Sequence, residues 1–170
     1  EELFDLGLMP IPAGGPDGKS PTGVRGWHKW KARSRDLVLK LIHAHGDANV
    51  GIATGRLSGV TVVDLDRKST PIEKLEHWAI ETYGDTPLKV RTPSGGLHLY
   101  YLFNGEKSGP LPGRRGDIKA AGGFVVVPPS IRPSGPYAGA EYRFAAGDWS
   151  FLEKLRTPRA AAHEPSSRGS

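Results

Sequence analysis

The sequence predicts an α+β domain built on short strands, and three observations carry that prediction. Short β-branched runs recur along the chain, two segments carry a helical stripe with a cap, and 23 glycines and 15 prolines among 170 residues punctuate them. Turn-forming residues thus stand well above their usual share of about 12%. Strands joined by Gly/Pro turns favour a mainly antiparallel or mixed sheet over a doubly wound parallel one.

Taken in order, residues 10–26 (PIPAGGPDGKSPTGVRG) read as loop. A basic, aromatic stretch, GWHKWKARSR, leads into a helix with Ser34 as N-cap, a stripe of Leu37, Leu39, Leu41 and Ile42, and Gly46 as its stop. Residues 49–54 (NVGIAT) and 59–66 (GVTVVDLD) read as strands with GRLSG as the turn between them. Thr70-Pro71-Ile72-Glu73 predicts a capping box with proline at the first helical position, and Gly84 ends that helix. Further strands are expected at 88–92, 96–103, 117–121, 123–127 and 141–145, and Asp148 can cap a last short helix, WSFLEKL. From Thr157 onward no core-forming residue occurs, so the domain is expected over 1–156 and a linker or tail over 157–170.

Composition excludes several classes. Without cysteine the chain has no disulfide framework and no thiolate-ligated zinc or iron–sulfur centre. That is compatible with a reducing cytoplasm, the expected location. No apolar run reaches the roughly 18 residues of a membrane span. The acidic start EELFDLG differs from a basic signal peptide, and with no initiator Met it predicts a piece of a longer protein. The net charge of +5 hints at an anionic partner, yet residues 154–170 alone hold four basic residues against one acid.

The sharpest chemical feature is Val62-Val63-Asp64-Leu65-Asp66. Residues i and i+2 of a strand share a face, so both carboxylates project together while Val63 and Leu65 point into the core. Two such acids either hold a hard divalent cation or are simply solvated where the strand ends. In Thr92-Pro93-Ser94-Gly95-Gly96-Leu97-His98, a Ser-Gly-Gly turn before a strand can bring backbone N–H groups to a phosphate, with His98 beside it. The alternative is a histidine packed on a sheet face next to a hairpin turn. In Arg114-Arg115-Gly116-Asp117-Ile118-Lys119, Asp117 is either the partner of an ion pair or a third metal carboxylate with Lys119 on its face. His43-Ala44-His45 has the His-x-His form of a metal motif but falls at the end of a helix. Arg25 to Arg35, with five cations, Trp27, Trp30 and no acid, suits a nucleic-acid backbone with stacked bases, or else a solvated loop over buried tryptophans.

The order is more specific than any part. Lys19-Ser20-Pro21, GWHKW, ATGRLSGVTVVDLD, TPSGGLHLYY and GDIKAAGGFVVVPPS, from about Pro10 to Tyr142, together resemble the bifunctional primase/polymerase (Prim-Pol) family of the archaeo-eukaryotic primase superfamily. The resemblance implies an RRM-like catalytic subdomain joined to a small N-terminal α/β unit. It implies Asp64, Asp66 and Asp117 as catalytic ligands of two divalent ions, Mg²⁺ or Mn²⁺. Ser94, Gly95, Gly96, His98 and Lys119, with Lys19 and Arg56 in family-like segments, would contact the incoming nucleotide. Arg25, Lys29, Lys31, Arg114 and Arg115 would follow the DNA. The implied activity is template-dependent nucleotidyl transfer from NTP or dNTP onto a primer or initiating nucleotide along single-stranded DNA, with pyrophosphate released. A helicase or other replication domain would accompany this module in a full-length protein. Two rivals use the same residues: a metal-dependent nuclease or phosphoesterase, and a non-catalytic single-stranded nucleic-acid-binding module.

Overall fold

The computed structural model describes residues 1–66 and 68–159. The chain opens with one helical turn, α1 (Glu2–Asp5), and strands β1 (Pro10–Gly14) and β2 (Ser20–Pro21), then enters α2 (Arg35–His45) and β3 (Asn49–Ala53). Next come β4 (Val60–Leu65), α3 (Ile72–Tyr83), β5 (Lys89–Arg91), β6 (Leu97–Leu102), β7 (Gly109–Pro110), β8 (Gly116–Lys119), β9 (Phe124–Val126) and β10 (Arg143–Ala146). The strands form two sheets, β2-β1-β3-β9 and β10-β5-β6-β4-β8-β7. Every paired strand is antiparallel. The α+β class is as the sequence predicts, and of the two sheet types expected the antiparallel one is found.

The larger sheet has a split order. β4, α3, β5 and β6 follow one another in sequence, yet β4 lies beside β6 and not beside β5. In place of a second helix between β6 and β8 the chain makes β7 and a 3₁₀ turn at Pro112–Arg114. One face of this sheet packs under α3: Leu75, Ala79 and Tyr83 cover Val63, Leu65, Leu97, Leu99 and Tyr101. On the other face Val60, Val62, Val90 and Tyr100 meet Ile52, Val125 and Val127 of the smaller sheet. Alternation along β4 and β6 therefore buries both faces, and the ionisable pair Asp64 and His98 sits toward one end. A third cluster joins α2 to the smaller sheet, with Val38 against Met9, Ile11 and Ala53 and with Trp27 and Trp30 packed on it.

Three local expectations change. Residues 10–26 are not all loop. Pro10 and Pro12 alternate along β1, and Thr22 N–H donates to the Pro12 carbonyl (2.9 Å) on the β2 side, while Ala53 N–H donates to Met9 on the β3 side. The prolines thus turn their missing N–H toward the sparsely paired edge, the position a strand tolerates. The capping box at Thr70 does not form: Pro71 itself occupies the N-cap of α3 with no side-chain cap bond. Asp148 does cap residues 149–154 by accepting from Ser150 N–H (2.8 Å), but the segment is 3₁₀. Ser34 caps α2 as expected, accepting from Leu37 N–H (3.3 Å). Backbone pairing continues to Arg159, whose N–H donates to the Tyr83 carbonyl (3.0 Å); residues 160–170 of the expected tail lie outside the described residues. No helix among the described residues is long and apolar enough to cross a membrane.

Candidate active site

Three neighbouring strands bring the predicted residues into one row. Asp64 on β4 is the direct cross-strand partner of His98 on β6 and of Asp117 on β8. Partners of this kind have Cα atoms about 4.5–5.5 Å apart and side chains on one face. Lys119 occupies the next position on that face, opposite Val62, with Tyr100 beyond it. The row lies on the face that meets the smaller sheet, where the apolar contact gives way to charge.

His98 is buried, and its Nε2–H donates to Asp64 Oδ1 at 3.3 Å. Its Nδ1 is buried without a partner. Burial pushes the Asp64 carboxyl up, but the attraction and hydrogen bond of His98, with Lys119 and Lys19 nearby, outweigh it and hold the group below the usual aspartate range. That places Lys19, in the β1–β2 turn, within electrostatic reach of Asp64, although 45 residues separate them in sequence. The turn is fixed by Lys19 N–H donating to Asp17 Oδ1 (3.0 Å).

Asp66 stands one residue past β4, exposed, with its N–H bound to the Arg115 carbonyl (2.9 Å). Among the described residues neither Asp66 nor Asp117 forms a salt bridge, and no three His, Asp or Glu side chains already converge as a metal cluster. The donor chemistry nonetheless fits a hard divalent cation. Asp64 and Asp117 are cross-strand partners on one face, Asp66 is exposed at the strand end, and carboxylate oxygens are the ligands such ions prefer. Gly116 makes the close approach possible: a Cβ there would meet the Asp64 carbonyl oxygen at 1.8 Å, and its φ is +136°.

The Ser-Gly-Gly turn works differently from the sequence expectation. Gly95 N–H donates to the Thr92 carbonyl and Gly96 N–H to Thr92 Oγ1, both at 3.0 Å, so these donors are consumed within the turn and do not form a phosphate nest. Gly96 serves by its shape, since a Cβ would lie 2.5 Å from the Leu65 carbonyl oxygen. Ser94 is left half-exposed, with its hydroxyl 3.4 Å from Thr92 Oγ1.

Other expected residues fall elsewhere. Arg56 precedes β4 at the end away from Asp64, since Gly55 bridges to Val60 and the Val60–Asp64 span is about 13 Å. Arg115 stacks over Trp78 of α3 (4.3 Å) and donates to the Pro112 carbonyl (2.8 Å), so its guanidinium is held against the fold. Arg114 is exposed. Arg25, Lys29 and Lys31 are exposed, whereas Arg33 and Arg35 of the same stretch tie down the N-terminus through the Phe4 and Leu8 carbonyls and Asp5. His43 and His45 end α2, as the helical stripe implies.

Sequence reasoning missed Arg132, Tyr142 and Asn49. Tyr142 is buried against His98, ring centroids 6.2 Å apart, and its phenol is pushed up to about 12 by burial, with Arg132 opposing and Asp64 and Asp17 reinforcing the shift. Arg132 therefore shares this corner, and its Nε is buried without a partner. Asn49 binds both loops that carry the cations, donating from Nδ2 to the Gly18 (3.3 Å) and Ile131 (2.6 Å) carbonyls and accepting from Ile131 N–H (3.1 Å). Ser130 adds a bond in each direction to Val50. Only the rigid PPS turn in this segment was visible in sequence.

The family model for the bifunctional DNA primase/polymerase N-terminal domain matches residues 2–161. No curated protein matches the chain. The matched span takes in both sheets, the row of Asp64, His98 and Asp117, and the Lys19 and Arg132 loops that close on it. By that match the chain belongs to the bifunctional DNA primase/polymerase N-terminal domain family.

Proposed function

We propose that the cleft at Asp64, His98 and Asp117 is the reaction centre of a template-dependent nucleotidyl transfer. Family membership gives the general activity, a primase/polymerase-type nucleotidyltransferase acting on nucleic acid and nucleotides. The observation that supports its assignment to this cleft is the register. Three adjacent strands set two acids and a buried histidine side by side, with Lys119 on the same face and Lys19 close by.

In the reaction a primer 3′-hydroxyl releases its proton to solvent as its oxygen bonds to the α-phosphorus of a nucleoside triphosphate. The bond from that phosphorus to the bridging oxygen breaks, and its electron pair leaves with pyrophosphate. Asp64, Asp66 and Asp117 are the residues that would hold two divalent ions, Mg²⁺ or Mn²⁺, whose bound charge makes the hydroxyl more acidic and the leaving group more stable. The chain's cations do the remaining electrostatic work. Lys119, Lys19 and Arg132 draw the triphosphate to the cleft and balance charge that grows on its oxygens. His98, packed against Tyr142, fixes the Asp64 carboxylate through Nε2 from a site with little water, where such a contact is strong. Ser94 offers a hydroxyl at the turn. Arg25, Lys29 and Lys31 would attract single-stranded template by its phosphates, without reading sequence.

Binding of a fluorescent nucleoside triphosphate in Mg²⁺ tests the assignment. Lys119→Ala and Arg132→Ala should each weaken it by about tenfold, as expected for a lost charge-assisted hydrogen bond, with the unfolding midpoint unchanged. Wild-type affinity in both variants would place the triphosphate elsewhere.

A further inference from the structure

A cavity lies at the other end of β4 from the reaction centre. It measures about 380 Å³, and its lining includes Trp27, Trp30, Phe103, Arg56, His28 and Gly122. The walls are held by the fold. Trp27 packs on Phe124 (centroids 6.0 Å apart) and begins a 3₁₀ turn that Gly26 enters at φ 64°. Trp30 rests on the same apolar cluster. Gly122 turns the chain here at a φ of +69°, beside His28.

Among the described residues no acid lines this cavity, and Arg56 is its one Lys or Arg. Glu106 lies behind Ala121, whose N–H donates to the Glu106 carbonyl (3.2 Å); its buried carboxylate accepts from Asn104 N–H (2.7 Å) through one oxygen and leaves the other without a partner. Arg56, Arg25, Lys29 and Lys31 are exposed, and among the described residues none of them forms a salt bridge. Unpaired cations beside a half-buried aromatic slot suit a nucleotide: the base has a π-face to stack, and the phosphate needs a cation. The volume lies within the range of small-ligand pockets, roughly 300–1,000 Å³. β8 and the residues after it connect the two places, running from Asp117 in the catalytic row to Ala121 and Gly122 at the cavity.

We propose that the pocket formed by Trp27, Trp30, Phe103 and Arg56 holds one unstacked nucleotide of a single-stranded nucleic acid, its base against the aromatic walls and its phosphate on Arg56. That the strand is the template rests on the function proposed above; that a strand binds here does not. The pocket tethers the strand at a fixed distance from the catalytic row, and stacking makes the grip indifferent to sequence.

Anisotropy of a labelled oligothymidylate, measured with neither divalent metal nor nucleotide present, tests this on the whole chain. Arg56→Ala should weaken binding about tenfold and lower the slope of log K against log salt by about one. Trp30→Leu, which keeps apolar bulk but removes the stacking face, should weaken binding about tenfold while leaving the salt slope unchanged. Asp64→Asn should bind as the wild type does. Wild-type affinity in Arg56→Ala, whose side chain is exposed and whose loss does not threaten the fold, would overturn the proposal. So would thymidine monophosphate competing at the same concentration as the oligonucleotide, since the site would then be one for free nucleotide. If primer extension fails while these binding results hold, the polymerase assignment falls and the strand pocket stands.

Discussion

Replacing Asp64 with asparagine should cut nucleotide incorporation by at least about a thousandfold while the protein stays folded. The side chain is nearly isosteric and can still accept from His98 Nε2, so the β4–β6 pairing survives. What is lost is the central negative charge of the row, flanked in register by His98 and Asp117. The variant also has a pH signature. Asp64 titrates below its ordinary value near 3.8 in the folded chain, through His98, Lys119 and Lys19 acting against burial. A depressed carboxylate adds stability that is present above the unfolded-state pKa and is lost as pH falls through the folded one. The wild type therefore loses this share of stability below about pH 4, and Asp64→Asn does not. Acid unfolding followed by circular dichroism reads the difference, and primer extension at neutral pH reads the activity.

The second large effect is structural. Gly116→Ala should destabilise the fold by about 3 kcal/mol, lowering the unfolding midpoint by about 10 °C. Gly116 pairs with Leu65 at φ +136°, and a Cβ would sit 1.8 Å from the Asp64 carbonyl oxygen and 3.1 Å from the Asp66 nitrogen. Backbone on both sides cannot yield without pulling β8 from β4. Because Asp117 is the next residue, its register with Asp64 goes too, and incorporation should fall even at temperatures where the variant is folded. Differential scanning calorimetry beside a rate measured well below the midpoint separates the two losses. A variant as stable and as active as the wild type would show that the close β4–β8 approach is not needed.

Much of this fold was legible because its strands carry local signals. The β-branched runs at 49–54 and 59–66, the Ser34 cap and the Gly84 stop each depend on residues within a few positions, and the structure has all of them. β1 was hidden because alternate prolines read as breakers until it is known that their side of the strand meets only the two-residue β2. Thr70 misled because Pro71, with ψ at 138°, takes the cap for itself. At the site, Asp64, His98, Asp117 and Lys119 could be chosen by residue type and spacing, but their common row is a matter of register. The roles of the arginines were not legible. Arg33, Arg35 and Arg115 look like DNA contacts in sequence and are consumed by Phe4, Asp5 and Trp78. Arg132 carries no local signal in the sequence, and bonds of Asn49 and Ser130 across distant segments bring it to the cleft.

An extension assay on end-labelled primer annealed to a longer single-stranded template separates nucleotidyl transfer from hydrolysis. With Mg²⁺ or Mn²⁺ and nucleotides, the products should lengthen one nucleotide at a time, with one pyrophosphate released per addition, and nothing should change when nucleotides or the metal ion are withheld. Shortening of the labelled strand without nucleotides would overturn the polymerase assignment and give the same carboxylates to hydrolysis.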